Sequence, residues 1–111
     1  MIGAEALAKL KAARVAVFGL GAVGSYAVEA LARAGVGFLR LVDCDVVRPS
    51  NINRQIYALG STLNRPKAEV AAERVLDINQ ECKVEAMREF AGKSTLAALL
   101  RPPLDAVIDA I

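Results

Sequence analysis

The stretch Arg14-Val15-Ala16-Val17-Phe18-Gly19-Leu20-Gly21-Ala22-Val23-Gly24 decides the fold. Its first five residues are rich in β-branched and aromatic side chains (Val15, Val17, Phe18), too few for a helix and followed directly by glycine, a pattern that predicts a buried parallel strand. From Ala22 to Ala34 the chain is helical in character, with Val28, Leu31 and Ala32 on one face and Gly35 placed to cap the C-terminus. Phe38-Leu39-Arg40-Leu41-Val42-Asp43 reads as a second strand that ends in an acid. Strand, glycine turn, helix and strand form the opening βαβ unit of a doubly wound sheet, whose crossover is right-handed.

Upstream, Ala4 to Lys11 is a short alanine-rich helix that needs a surface to lean on. Downstream, residues 44–64 carry no stable period but include Pro49, Ser50, Asn51, Asn53, Gly60 and Ser61; so long a polar connection is more often functional than idle. Pro66 suits a first helical turn, and Ala68, Ala71, Ala72, Val75 and Leu76 share one face of a helix running to about Ile78. Cys82 to Met87 is a weakly alternating third strand, Lys93 to Leu100 a short helix, and Ala106-Val107-Ile108 a fourth strand after the break at Pro102-Pro103. The expected class is α/β, a Rossmann-like three-layer α/β/α arrangement with a mostly parallel sheet in the order 3-2-1-4.

Bulk properties agree with one globular domain: 111 residues, 55% hydrophobic and 23% charged. A net charge of +2 argues for neither nucleic acid nor membrane, and no run approaches the roughly 20 apolar residues of a spanning helix. Two cysteines, Cys44 and Cys82, without a CxxC pair support neither a disulfide framework nor a cysteine zinc site; both are expected to pack. Without histidine, Ser-His and Cys-His pairs are excluded within these residues. A cytosolic setting is expected, and the strand-and-turn character of residues 105–111 suggests that the domain continues beyond them.

Gly19, Gly21 and Gly24 have the spacing that permits a tight turn, a close approach to pyrophosphate and helix–sheet packing, and the following helix offers free N–H groups to phosphate. The competing reading is that they serve packing alone. Asp43, 19 residues after Gly24, sits where a carboxylate accepts hydrogen bonds from a ribose; Asp45 either joins it or caps the turn. On these features alone a dinucleotide oxidoreductase leads. Asn51, Asn53, Arg54 and Gln55, followed by Lys67 at a helix head, shift the balance, because nicotinamide chemistry has no need of so much positive charge near phosphate. Attack on an α-phosphate does, since charge grows on the phosphoryl oxygens and the leaving group. Asp109 either assists a magnesium ion or holds loop backbone.

Gly19-Leu20-Gly21-Ala22-Val23-Gly24, Leu41-Val42-Asp43-Cys44-Asp45, Asn51-Ile52-Asn53-Arg54-Gln55, Pro66-Lys67 and Val107-Ile108-Asp109 together resemble the ubiquitin-activating-enzyme-like superfamily, which includes adenylyltransferases of thiamine and molybdopterin sulfur carriers. The wording around Asn51 to Leu59, Lys67 to Val70 and Ile78 to Cys82 is similar to its tRNA threonylcarbamoyladenosine dehydratase branch. The resemblance implies an ATP-binding portion of a larger family domain, with Gly19, Gly21, Gly24, Asp43, Asp45, Asn51, Arg54, Gln55 and Lys67 around ATP, Asp43 on the ribose, and Asn51, Arg54 and Lys67 contacting the phosphates and stabilising the transition state. It also implies magnesium, whose principal family aspartate falls past Ile111, and a homodimer in which the partner supplies a further arginine.

The implied reaction is adenylation of the threonyl carboxylate of the modified nucleoside at tRNA position 37, followed by cyclising dehydration; residues 1–111 alone are expected to be inactive. The rival within the superfamily activates the C-terminus of a ubiquitin-like sulfur carrier. More distant rivals are an NAD-dependent oxidoreductase and a non-catalytic nucleotide-binding module.

Overall fold

The computed structural model describes residues 3–111. Helix α1 (Ala4–Ala12) precedes β1 (Arg14–Phe18), α2 (Ala22–Ala34) and β2 (Phe38–Val42); two short 3₁₀ turns at Pro49–Asn51 and Gly60–Thr62 shape the long connection to α3 (Lys67–Ile78), β3 (Lys83–Met87), α4 (Leu96–Leu99) and β4 (Ala106–Asp109). The four strands are parallel in the order β3-β2-β1-β4. With β1 central, the β1 and β2 ends deliver Gly19 and Asp43 to the same rim, because Phe18 is in register with Val42.

One face of the sheet carries Val15, Val17, Leu39 and Leu41, which join Val28 and Ala32 of α2 and Ala68, Ala71 and Val75 of α3 in the main core. Removing such β-branched and leucine side chains from water is the chief stabilising contribution, of about 1.5–3 kcal/mol each. Gly35 ends α2 with φ 96°, the left-handed C-cap that its position in the sequence predicts. The α3 face differs in one place from the sequence pattern: Leu76 is 43% exposed, whereas Val70 is buried at 4%. Ala68, Ala71 and Val75 fix the buried direction, and a helical step of about 100° from Val75 turns the next side chain outward.

The second face is more thinly covered, by Leu99 of α4 and by Met87, Ala91 and Leu104 against Ala16, Phe18 and Val42. Here α4 is only four residues long, shorter than the Lys93–Leu100 helix expected, since residues 92–95 form a turn that accepts its first bonds. In the middle of β2 the guanidinium of Arg40 is 1% exposed, an ionised group inside what reads in sequence as an apolar strand.

Candidate nucleotide-binding cleft

A cleft of about 340 Å³ opens at the carboxyl ends of the strands, where ligands of doubly wound sheets bind. Gly19 and Gly21 form its floor, Asp43, Cys44 and Asp45 one side, Lys67 another, and Glu89, Phe90 and Ala91 the far wall. A groove of about 410 Å³ lies at the opposite end of the strands around Lys11, Arg14 and Lys83, but Lys11 is already paired with Glu81 and Arg14 with backbone at Pro103. The rim cleft, with its glycine loop and uncommitted charge, is therefore the candidate site.

The glycine loop is held by packing at two points and left open at the third. A Cβ at Gly24 would stand 1.7 Å from the Gly19 carbonyl oxygen, so the helix can pass the loop only without a side chain there. Gly19 has φ 90°, and a Cβ on it would meet the Ala110 backbone at 2.8 Å. At Gly21 the nearest atom to such a Cβ is Gln55 Nε2 at 3.8 Å. Space is thus kept over Gly21 that the protein's own packing does not demand.

Asp43 braces this loop directly. Its Oδ2 accepts the Leu20 N–H at 2.8 Å and its Oδ1 the Asp45 N–H at 2.8 Å. A carboxylate has about four acceptor sites, so two remain for a ligand hydroxyl. The Tyr57 hydroxyl, buried behind the loop, donates to the Leu20 carbonyl at 2.9 Å. Burial, with the Asp43 charge nearby, holds that hydroxyl protonated well above the ordinary tyrosine range. Ser25 Oγ accepts the Ile56 N–H at 3.5 Å, a second tie between α2 and the 51–57 segment. The sequence does not disclose the role of Tyr57, because its partner lies 37 residues away.

Lys67 is the most informative side chain. It is 7% exposed, lines the cleft and, among the described residues, makes no salt bridge or side-chain hydrogen bond. Its stem is packed while its ammonium, unpaired by any described residue, faces the cleft, and its place at the first turn of α3 opposes the helix dipole. An anion in the cleft offsets that opposition.

The remaining expected residues are arranged differently. Asn51 is buried and closes its own turn, its Oδ1 accepting the Arg48 N–H at 2.8 Å. Gln55 is buried beside Gly21, its Oε1 without a protein partner. Arg54 is exposed and does not line the cleft, so its guanidinium and the Lys67 ammonium do not converge in this structure. Asp45 is at the rim and its carbonyl receives the Lys67 N–H at 3.0 Å. Asp109 ends β4 and accepts the Ile111 N–H at 3.2 Å, which is the loop-holding role. Cys82 packs as expected, but Cys44 does not: it is exposed on the cleft wall because the chain leaves the sheet after Val42. Phe90, 72% exposed, and Ala91 were not foreseen, since nothing in the 88–95 sequence marks it as cleft wall.

The chain is similar to several known proteins. The tRNA threonylcarbamoyladenosine dehydratase of Bacillus subtilis (strain 168) is 50% identical over 109 residues, which are 98% of this chain and 43% of that protein. The solved structure of E. coli tRNA N6-threonylcarbamoyladenosine dehydratase in complex with ATP superposes with a TM-score of 0.95 at 44% identity, over 98% of this chain and 45% of that one. A sulfur carrier protein adenylyltransferase of Thermus thermophilus is 36% identical over 98% of this chain and 40% of its own length. The chain therefore spans less than half of the relatives that it matches. No helix among the described residues is long and apolar enough to cross a membrane. With the ThiF family pattern matched over residues 1–111, and with glycine loop, acid and lysine gathered at one rim, the chain belongs to the ThiF family.

Proposed function

We propose that residues 1–111 are the nucleotide-binding portion of a tRNA threonylcarbamoyladenosine dehydratase, which adenylates the threonyl carboxylate of the modified nucleoside at tRNA position 37. The observation that carries this reading is the buried, unpartnered Lys67 facing the same cleft as Gly21 and Asp43. The phosphates of ATP lie over Gly21, where a Cβ would otherwise stand, and against the Lys67 ammonium. The ribose meets the free lone pairs of Asp43, and the base extends toward Phe90 and Ala91. Gly19 and Gly24 shape the loop, Asp45 and Asn51 fix the neighbouring backbone, and Gln55 Nε2 stands beside Gly21.

Chemically, a carboxylate oxygen of the substrate attacks the α-phosphate and pyrophosphate leaves. The acyl carbon, now bearing AMP as a good leaving group, is attacked from within the same nucleoside, and the ring closes. The protein's work is positioning and charge stabilisation. Lys67 is a point charge for the phosphoryl oxygens, and Arg54, exposed in the present conformation, reaches them once substrate and nucleotide are in place. Magnesium is expected with ATP; among the described residues no group of three His, Cys, Asp or Glu side chains gathers to hold it. A homodimer acting on tRNA in the cytoplasm completes the reading.

The test is pyrophosphate release and AMP formation by the full-length protein with ATP and magnesium, offering threonylcarbamoyladenosine-bearing tRNA in parallel with ubiquitin-like carrier proteins. Turnover that requires the modified tRNA and yields the ring-closed nucleoside is the expected result. Turnover only with a carrier protein moves the substrate to sulfur-carrier activation, which the 36% identical adenylyltransferase represents. Hydride transfer to a nicotinamide would end the adenylation reading.

A further inference from the structure

The far wall of the cleft rests on a group that the proposed chemistry does not use. Arg40, central in β2 and paired in register with Glu85 of β3, points to the thinly covered face of the sheet. Its Nη1 donates to two carbonyl oxygens, Leu99 at 2.8 Å and Arg101 at 2.8 Å, and its Nη2 lies 3.4 Å from Glu85 Oε1. Leu99 is the last residue of α4. A four-residue helix has no independent stability and leaves its terminal carbonyls unsatisfied, so the guanidinium serves as its C-terminal cap.

From there a continuous set of bonds leads to the cleft. The Leu99 N–H donates to the Thr95 carbonyl at 3.0 Å, and the Thr95 hydroxyl donates to the Phe90 carbonyl. The Gly92 N–H closes the turn on Thr95 Oγ1 and on the Phe90 carbonyl, both at 3.0 Å. Phe90 and Ala91 at the end of this relay are the cleft wall, and Ala91 packs with Leu99 against Ala16, Phe18 and Val42.

We propose that Arg40 is a positioning residue for the nucleoside end of the bound nucleotide: by capping α4 it sets, through Thr95, where Phe90 and Ala91 stand. The inference rests on the ATP reading above but adds a determinant outside the glycine loop, on the opposite face of the sheet. The glycine loop and Lys67 are not part of the relay, so phosphate binding should be separable from it.

The experiment is a titration of the full-length protein with ATP and, separately, with inorganic tripolyphosphate, for wild type, Arg40→Met, Arg40→Lys and Thr95→Val. Arg40→Met and Thr95→Val are expected to weaken ATP by about tenfold, equivalent to ~1.4 kcal/mol, while tripolyphosphate binding changes less than about twofold. Arg40→Lys, which keeps a donor but not the fork, is expected to fall between wild type and Arg40→Met. Equal weakening of ATP and tripolyphosphate would show a general structural role and overturn the proposal, as would unchanged ATP binding in a folded Arg40→Met. If Arg40→Met does not fold, Thr95→Val decides: it removes the Phe90 tie without touching the buried charge, and unchanged ATP binding there overturns the relay. A wild type that binds tripolyphosphate but not ATP, or neither, removes the nucleotide reading and the proposal together; normal wild-type binding with unaffected variants removes only the proposal.

Discussion

Replacing Lys67 with methionine should make the unliganded protein more stable and the nucleotide complex much weaker. The side chain is 7% exposed and has no protein counter-charge among the described residues, so methionine of similar length keeps the packing and removes the charge. The ammonium sits on the first residue of α3, where a cation opposes the helix dipole by about 0.3–1 kcal/mol. Removing it should stabilise by that amount, and each kcal/mol corresponds to roughly 4–8 °C in Tm for a domain near 100 residues. The expected rise is therefore about 1–8 °C without nucleotide. Loss of a charge against phosphate in a partly desolvated cleft costs the complex about 2–5 kcal/mol, or roughly 30- to 5000-fold in Kd. Thermal unfolding with and without ATP, paired with a binding titration, measures both quantities. A lower Tm for Lys67→Met without ATP, together with unchanged ATP affinity, would show that the ammonium is a structural group and refute the reasoning.

Gly21→Ala should leave thermal stability within about 0.5 kcal/mol while weakening ATP at least tenfold, because its Cβ enters open space over the loop; Gly24→Ala, forced 1.7 Å from a carbonyl oxygen, should cost several kcal/mol and be lost to aggregation or unfolding in a denaturant titration. Cys44, exposed in the cleft, should be alkylated by iodoacetamide and protected by ATP, whereas buried Cys82, whose thiol burial pushes up, should react only on unfolding; mass spectrometry of the two peptides reads this, and alkylation of Cys44 unaffected by saturating ATP would count against the cleft. Arg74 and Arg33 hold the Glu29 carboxyl below its usual 4.5, so the α2–α3 tie is fully formed above that pH and is lost as pH falls through the depressed value; the Tm difference between wild type and Glu29→Gln should be constant from pH 7 to 5 and shrink toward pH 3.

The sheet was legible in the sequence where a side chain's environment follows from its immediate neighbours. The glycine turn, the Gly35 cap and the strand order all follow from local chemistry and the handedness of the crossover. β3 read weakly because it is an edge strand with Lys83 and Ala86 exposed, so no strong alternation was imposed on it. Arg40 stayed hidden: a lone arginine between leucines carries no sign that carbonyls 59 and 61 residues onward will surround it. Lys67 reads in the sequence as an anion ligand and lines the cleft; the exposure of Arg54 is not visible there, because loop conformation depends on Tyr57 and Ser25 anchors far apart in the chain.

The hydroxyl of Tyr57 under the glycine loop has a consequence for traffic through the cleft. Since that bond, the Asp43 bonds and the Ser25 tie join the loop, the acid and the 51–57 segment, these parts form one stiff jaw. The opposing jaw, Phe90 to Leu99, is largely solvent-exposed and anchored through a four-residue helix. Opening free energies are lowest where backbone bonds are exposed and apolar contacts few. Product should therefore leave by hinging of the Phe90 side, and amide exchange should be fast from residue 90 to 98 while the amides of Leu20 and Ser25 remain protected.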